Sequence, residues 1–300
     1  MEIRRIEEIS QFKFNSIVTI GAFDSIHLGH KKLFSELLNQ KENSNGEYKT
    51  VVFTFDLHPD FYLKKRENNG FLENNKTKKE IFESFKIDYL IILNKDILSY
   101  SYKDFHEKVL DKVNTKKVIV GTDFVYGYNQ TGNISTLKED YEVIDFLVLK
   151  EDGDKISSSE IRKCLENGNV EEAAKLLGKP YTVEGIVEKG AGLGTKIGIP
   201  TANIKCPELG VKLADGVYGT VVVFGGNKYL GITNVGKNPT VNTQVKSRIE
   251  THIIDFDGDI YGKSITLEFV KFIRGEIKFK NVDELVKMIK KNIDDFKKGI

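Results

Sequence analysis

From residue 16 to about residue 150 the chain alternates short apolar runs with stretches of helical period. The runs are SIVTIGAF (16–23), KTVVFTF (49–55), DYLIIL (88–93), KKVIVG (116–121) and DFLVL (145–149). Between them Leu33, Phe34, Leu37 and Leu38 recur at the spacing of one helix face. Ile81, Phe82 and Phe85 mark a second helix, and Phe105, Val109, Leu110 and Val113 a third. Thr77 with Glu80, and Ser101 with Asp104, predict capping boxes at the starts of the last two. Continuous apolar strands joined by crossover helices predict an α/β domain with a parallel sheet covered on both faces. Ligands of such sheets sit at the carboxyl ends of the strands.

After Pro180 the period changes to two, in YTVEGIVEKG, GVYGTVVVFGG, KYLGITNVG, IETHIIDF and KSITLEFVKFIRG, punctuated by Gly-Gly and Asp-Gly turns. That pattern predicts antiparallel hairpins closing into a small barrel or sandwich. One amphipathic helix follows, capped at Asn281 with Glu284 three residues on, with Val282, Leu285, Val286, Ile289, Ile293 and Phe296 on one face. The joint falls near 177–182, dividing the chain into domains 1–179 and 180–300. ENNGFLENNKTKK (67–79) is polar and long enough to predict a mobile flap.

Composition narrows the functional classes. A chain of 300 residues with 40% hydrophobic content exceeds one usual domain and can bury two cores. Lys+Arg 45 against Asp+Glu 44 leaves a formal charge of +1, too small a field to hold nucleic acid or an anionic membrane, so any phosphate must be bound locally. No apolar stretch approaches the roughly 18 residues of a membrane span, and the start of the chain lacks the apolar core of a secretion signal. A cytoplasmic protein is expected. Cys164 and Cys206 are too few for a disulfide framework or a thiolate metal site, and Cys164, in an amphipathic run, is expected to be a plain buried thiol.

The first strand runs into Gly21-Ala22-Phe23-Asp24-Ser25-Ile26-His27-Leu28-Gly29-His30, where a helix begins. Strand, tight turn and helix start together form an anion site, because unpaired N–H groups and the helix dipole converge there. His27 and His30, three residues apart, both reach one phosphate in that setting, and Gly29 lets the backbone approach closely. Two surface histidines, or two ligands of a metal, are the alternative readings; His58, His106 and His252 show no spacing that completes a metal set. Two more segments belong with this one. A polar, glycine-containing loop from Gly121 through Asp123 to Asn129 and Gly132 follows the fourth strand. Ser157, Ser158, Ser159, Glu160 and Arg162 open a further helix, either as a phosphate clamp or, for Ser157 and Glu160, as a plain cap.

The β-rich half carries its own glycine loop, with Gly190, Gly192, Gly194 and Lys196 followed by Pro200-Thr201-Ala202-Asn203. Dense glycines let backbone N–H groups fold around phosphate, and Thr201 and Asn203 offer oxygens two residues apart to a hard cation. Asn234-Val235-Gly236-Lys237-Asn238-Pro239-Thr240 forms a second polar turn, and Glu250 faces away from Thr251 on a later strand. A carboxylate there serves either as acceptor of a hydroxyl proton in phosphoryl transfer or as an ordinary cross-strand charge.

GAFDSIHLGH is similar to the His-x-Gly-His signature of nucleotidyltransferases with a Rossmann-like sheet. With GTDFVYG and ISSSEIR it resembles the adenylyltransferase module of bacterial bifunctional riboflavin kinase/FMN adenylyltransferases (FAD synthetases). PTAN, NVGKNPT, the Glu250–His252 step with DFDGDIYG, and FIRGEIKF resemble the flavokinase module of the same family. The resemblance covers residues 14–299 and implies two reactions: riboflavin to FMN, then FMN to FAD with release of pyrophosphate. ATP is the co-substrate of both, ADP the kinase by-product, and Mg2+ the expected cofactor. It implies that His27, His30 and Arg162 act on the ATP phosphates, and that Gly21, Phe23, Asp24, Gly29, Asp123, Ser157, Ser158 and Ser159 line that site. Gly190, Gly192, Gly194 and Lys196 would bind phosphate in the second site, Thr201 and Asn203 would hold Mg2+ and ATP, and Glu250 would be the base. His58, Asn129 and Arg274 would contact flavin. The family usually has Gly where Ser25 stands, Thr where Ser159 stands, and Gly-Arg where Gly194-Thr195 stands.

Overall fold

A computed structural model describes residues 1–65, 72–73, 75–146, 156–190, 192–206, 211–237 and 247–299. Residues 67–71 and 74 of the expected flap, residues 147–149 of the fifth expected strand, Ala191, and Asn238, Pro239 and Thr240 of the polar turn lie outside the described residues. The chain forms two compact units, Met1–Ser158 and Ser159–Ile300.

Six parallel strands build the first unit: β1 (Glu2–Arg5), β2 (Asn15–Ile20), β3 (Tyr48–Phe55), β4 (Tyr89–Leu93), β5 (Thr115–Gly121) and β6 (Glu142–Phe146). Their order across the sheet is β1-β4-β3-β2-β5-β6. Neighbouring residues alternate between two apolar layers, as a sheet buried on both faces requires. Ile17, Val52, Leu90 and Ile119 pack with Leu33, Phe34 and Leu37 of helix α1 (Leu28–Asn43). Val18, Val51, Phe53, Ile91 and Val118 pack on the other side with Phe105, Val109, Leu110 and Val113. The chain builds outward from β2 through β3 to β4, then returns to the opposite side of β2 as β5. The carboxyl ends of β2 and β5 therefore flank the point where strand order reverses, the usual place for a ligand crevice.

Two local expectations change. Helix α2 spans Asn75–Ser84, so Thr77 lies inside its first turn, and the capping box expected at Thr77 is not the helix start. The Ser101 box does form, with the Asp104 N–H donating to Ser101 Oγ at 3.2 Å and the Ser101 N–H to Asp104 Oδ2 at 3.3 Å. The segment it starts is irregular, an α turn (Tyr102–Phe105), a π turn (His106–Leu110) and a 3₁₀ turn (Asp111–Val113) in succession. β1 went unpredicted: EIRR is almost wholly exposed and held by edge pairing to β4, so it carries no apolar pattern.

The second unit opens with helices α3 (Ser158–Glu166) and α4 (Val170–Leu177). They pack with the barrel, which is why the compact units divide before the change of period at 180. The Ala214 N–H donates to the Leu165 carbonyl at 3.2 Å, and the Phe272 ring lies against Gly168, whose φ is +80°. Cys164 is only half-buried. Six antiparallel strands close the barrel: β7 (Tyr181–Glu188), β8 (Ala202–Lys205), β9 (Gly216–Phe224), β10 (Asn227–Lys237), β11 (Ser247–Ile253) and β12 (Ser264–Arg274), in the order β8-β11-β10-β9-β12-β7. Inside it, Thr220, Thr233 and Thr251 form a buried hydroxyl ladder, Oγ1 to Oγ1 at 2.7 and 2.9 Å. Because side chains alternate along a strand, Thr251 pointing in sends Glu250 and His252 out. Helix α5 (Val282–Lys298), capped by Asn281 accepting from the Glu284 N–H at 2.9 Å, lays Ile293 and Phe296 on Val217 and Ile232 of the outer barrel face.

Candidate active sites

The turn after β2 is tightly specified. Gly21 admits no side chain, since a Cβ would lie 2.9 Å from the Phe23 ring. Phe23 itself adopts φ 46°, a strained backbone for a non-glycine residue, and its buried ring meets Phe34 and Phe82 with centroids at 5.3 and 5.8 Å. Of the residues expected at phosphate, Phe23 thus offers its backbone and spends its ring on the core. Asp24 is also buried: its Oδ1 accepts from the Leu72 N–H at 2.9 Å, while the Ile26 N–H donates to the Glu73 carboxylate. These reciprocal bonds fasten residues 72–73 to the turn. Ser25 has no positive φ, so a side chain costs the backbone nothing there, and its hydroxyl lies 3.2 Å from that of Ser158.

His27 caps α1, its Nδ1 accepting from the His30 N–H at 3.3 Å. That contact leaves the ring proton on Nε2, a donor suited to an anion. His30 Nδ1 donates to the Ser25 carbonyl at 2.8 Å, and the two imidazoles stack with centroids 3.7 Å apart beside buried Gly29. Asp123 is exposed just past the end of β5, and Ser157 immediately precedes α3. Ser159 and Arg162 lie on α3 and belong to the second unit.

Two buried charged residues at this site, Glu73 and Lys78, carry no sign in the sequence. Lys78 on α2 is 3% exposed, and burial pulls its amine down to about 7 against the opposing pull of Asp24 and Glu73. A lysine in a polar tract (NNKTKKE) gives no sign of burial, so only the fold reveals it. Its folded value lies below the ordinary lysine value, so the unfolded chain binds more protons between the two, and stability rises with pH from about 7 upward. Between pH 7 and 9 the urea-unfolding free energy of the wild type should gain about 2 kcal/mol over that of Lys78→Met. Parallel pH profiles for the two proteins would contradict this.

A cavity of about 620 Å³ opens at the same end of the sheet, walled by Gly21, Phe55, Leu98, Phe124, Tyr126 and Asn129 among others. Asn129 and Gln130 both take left-handed backbone there, with φ 52° and 57°. His58 is absent from the wall but caps the short helix Pro59–Tyr62, its Nδ1 accepting from the Asp60 N–H at 3.1 Å, and Pro59 and Asp60 do line the cavity.

In the second unit a cavity of about 700 Å³ lies on the outer barrel face beneath α5. Gly192, Gly194, Thr201, Asn203, Glu250 and Arg274 all line it, so residues separated by up to 82 positions (Gly192 to Arg274) share one wall. Glu250 stands in register between Asn203 on β8 and Asn234 on β10. Its carboxylate, 20% exposed, is ion-paired with Arg248. Arg248 went unread, although Arg248, Glu250 and His252 share a strand face by simple alternation. The glycine loop presses against the oxygen donors: a Cβ at Gly190 would sit 2.0 Å from the Asn203 amide, and one at Gly194 would sit 2.4 Å from the Ile199 carbonyl and 3.1 Å from Thr201 Oγ1. His252 Nδ1 donates to the Pro200 carbonyl at 2.8 Å and ties the loop's exit to β11. The Lys196 side chain lies outside the described residues. Arg274 donates through Nε to Asn292 Oδ1 at 3.1 Å, which anchors α5 over the cavity, and its guanidinium lies over the Phe279 ring at 5.6 Å. A second hollow of about 420 Å³, lined by Phe256, Asp257, Asp259 and Tyr261, shares Thr201 with the first.

The comparisons with known proteins match both units. The family model for FAD synthetase covers residues 9–160 and that for riboflavin kinase residues 177–300. A bifunctional riboflavin kinase/FMN adenylyltransferase of Buchnera aphidicola subsp. Schizaphis graminum is 36% identical over 99% of this chain and 97% of its own length. One of Bacillus subtilis is 32% identical over 95% and 92%. A crystal structure from Streptococcus pneumoniae, described as a macrolide-efflux protein, superposes with a TM-score of 0.90 at 31% identity, covering 99% of each chain. Among the described residues no helix is long and apolar enough to cross a membrane. By both family models and by relatives matched over nearly their whole length, this chain belongs to the bifunctional riboflavin kinase/FMN adenylyltransferase family.

Proposed function

We propose that this chain, working in the cytoplasm, converts riboflavin to FMN on residues 180–300 and FMN to FAD on residues 1–179, with ATP in both steps. The observation that carries the reading is the single cavity that unites the glycine loop, Thr201, Asn203, Glu250 and Arg274. In the kinase step the ribityl 5′-hydroxyl attacks the γ-phosphorus of ATP. The Glu250 carboxylate takes the hydroxyl proton, the new O–P bond forms, and the bond from the γ-phosphorus to the ADP oxygen breaks. Thr201 lines both hollows, which suits a nucleotide lying in the smaller one with its phosphates turned toward Glu250. Gly190, Gly192, Gly194 and Lys196 form the phosphate cradle, and Arg274 holds the α5 side of the flavin site.

The side-chain oxygens of Thr201 and Asn203, packed beside Gly194 and Gly190, fit a hard cation. Mg2+ held there would offset the polyphosphate charge during transfer. In the adenylyl step an FMN phosphate oxygen attacks the α-phosphorus, and the bond to the β-phosphate breaks to release pyrophosphate. His27, through Nε2–H, and His30 stabilise the charge that builds on the phosphates. Gly21, Asp24, Gly29 and the Phe23 backbone shape the turn, while Asp123, Ser157 and Ser158 complete the nucleotide site. The flavin of FMN occupies the cavity beside Asn129, with His58 setting the segment that carries Pro59 and Asp60.

Pure protein given riboflavin and MgATP should yield FMN and then FAD by chromatography. Excess chelator should stop both steps while the circular dichroism spectrum and Tm stay unchanged. Absence of both products with metal present would sink the reading, and unfolding on chelation would show a structural metal instead.

A further inference from the structure

Behind the flavin cavity of the first unit runs a polar chain that none of the reactions above uses. Tyr126 is 8% exposed and lines that cavity, with its ring alongside Phe124 at 5.5 Å and pressed on Gly132, where a Cβ would come within 2.6 Å of the ring. Its hydroxyl points the other way, to His106 Nε2 at 2.6 Å and Thr136 Oγ1 at 3.0 Å. His106 is 5% exposed and begins the π turn, a distortion that recurs at functional sites. His106 Nδ1 lies 2.7 Å from the Asp140 carboxylate.

The Asp140 carboxylate can only accept, so His106 Nδ1–H donates to it. Thr136 has one proton and donates it to the Asn133 carbonyl at 2.8 Å. The Tyr126 hydroxyl is held between His106 Nε2 and Thr136 Oγ1. The carboxylate thus anchors the ring that meets the Tyr126 hydroxyl.

We propose that His106 and Asp140 are positioning residues for the adenylyl acceptor: acting through the Tyr126 hydroxyl, they fix the wall against which the FMN ring system lies. The proposal rests on the placement of FMN in this cavity. Tyr126→Phe keeps the ring and loses its tether, so KM for FMN should rise about fivefold, as loss of one buried hydrogen bond gives, with kcat little changed. Riboflavin phosphorylation, on the other unit, should not move. Asp140→Ala should behave like Tyr126→Phe. Asp140→Asn should keep wild-type KM, because the Asn side-chain oxygen still accepts from His106 Nδ1–H.

Leu63→Trp separates this from the underlying placement. Leu63 is 47% exposed at the cavity wall, so an indole there narrows the cavity without touching the chain and should raise KM for FMN. A Leu63→Trp enzyme with wild-type KM would overturn the placement of FMN. A raised KM in Leu63→Trp together with wild-type KM in Tyr126→Phe and Asp140→Ala would overturn the positioning role.

Discussion

Replacing Glu250 by Gln should lower riboflavin phosphorylation about 10²–10⁴-fold, the usual loss when a general base is removed, while supplied FMN is still converted to FAD at the wild-type rate. Gln keeps the size and reach of Glu in the row formed with Asn203 and Asn234 but cannot take the ribityl hydroxyl proton. The substitution also ends the ion pair with Arg248. That pair is part-exposed, at 40% and 20% for its two side chains, and is worth no more than about 1 kcal/mol of stability. Arg248→Met isolates this second effect. It removes the pair and keeps the carboxylate, so it should retain phosphorylation within about one order of magnitude. Equal losses in Glu250→Gln and Arg248→Met would assign the effect to the ion pair and leave the kinase without its base.

The complementary result is expected at the other site. His30→Ala should leave FMN formation unchanged and lower FAD formation about 10²–10³-fold, the loss typical of one group stabilising transition-state charge. The variant is a clean one in a particular respect. The α1 cap is made by the His30 backbone N–H donating to His27 Nδ1, so Ala preserves it. What goes is the imidazole, with its stacking on His27 and its bond to the Ser25 carbonyl. Steady-state rates from riboflavin and from FMN, measured on the same preparation, check both halves. Loss of FMN formation in folded His30→Ala would mean that the two activities are not divided between the units as assigned.

Much of the architecture was legible because burial leaves a period in the sequence. β2, β3, β4 and β5 are buried on both faces and read as continuous apolar runs, while the barrel strands, with Thr220, Thr233 and Thr251 inside and Glu250 outside, read as alternation. The expectation that Glu250 faces away from Thr251 needed nothing more than that alternation. β1 was illegible, since an exposed edge strand is specified by its partner and not by its own side chains. The π turn at His106–Leu110 was illegible too, because Phe105, Val109, Leu110 and Val113 satisfy an α-helical spacing equally well.

The candidate sites divide along the same line. Glycines, hydroxyls and carboxylates clustered in the chain, such as Gly190 to Asn203, announce themselves, and the fold brings Gly192, Gly194, Thr201 and Asn203 to one wall with Glu250 and Arg274. Residues that act by supporting others do not. Lys78 and Glu73 are buried against the turn at Asp24 only through tertiary packing, and the sequence around them reads as a solvated loop. Phe23 and Asp24 likewise carry packing that the motif does not announce: the Phe23 ring lies in the core, and Asp24 fastens residues 72–73.

The central claim is that one chain transfers the γ-phosphoryl of ATP to riboflavin at one site and the adenylyl group of ATP to the product at another. Isotope placement tests it in a single comparison, with riboflavin and MgATP labelled at either the γ- or the α-phosphorus and the flavins separated by chromatography. Label from the γ position should appear in FMN and persist in FAD, and label from the α position should appear in FAD and never in FMN. Label from the α position in FMN, or FAD carrying no γ-derived label when riboflavin is the only flavin supplied, would contradict the two-site account.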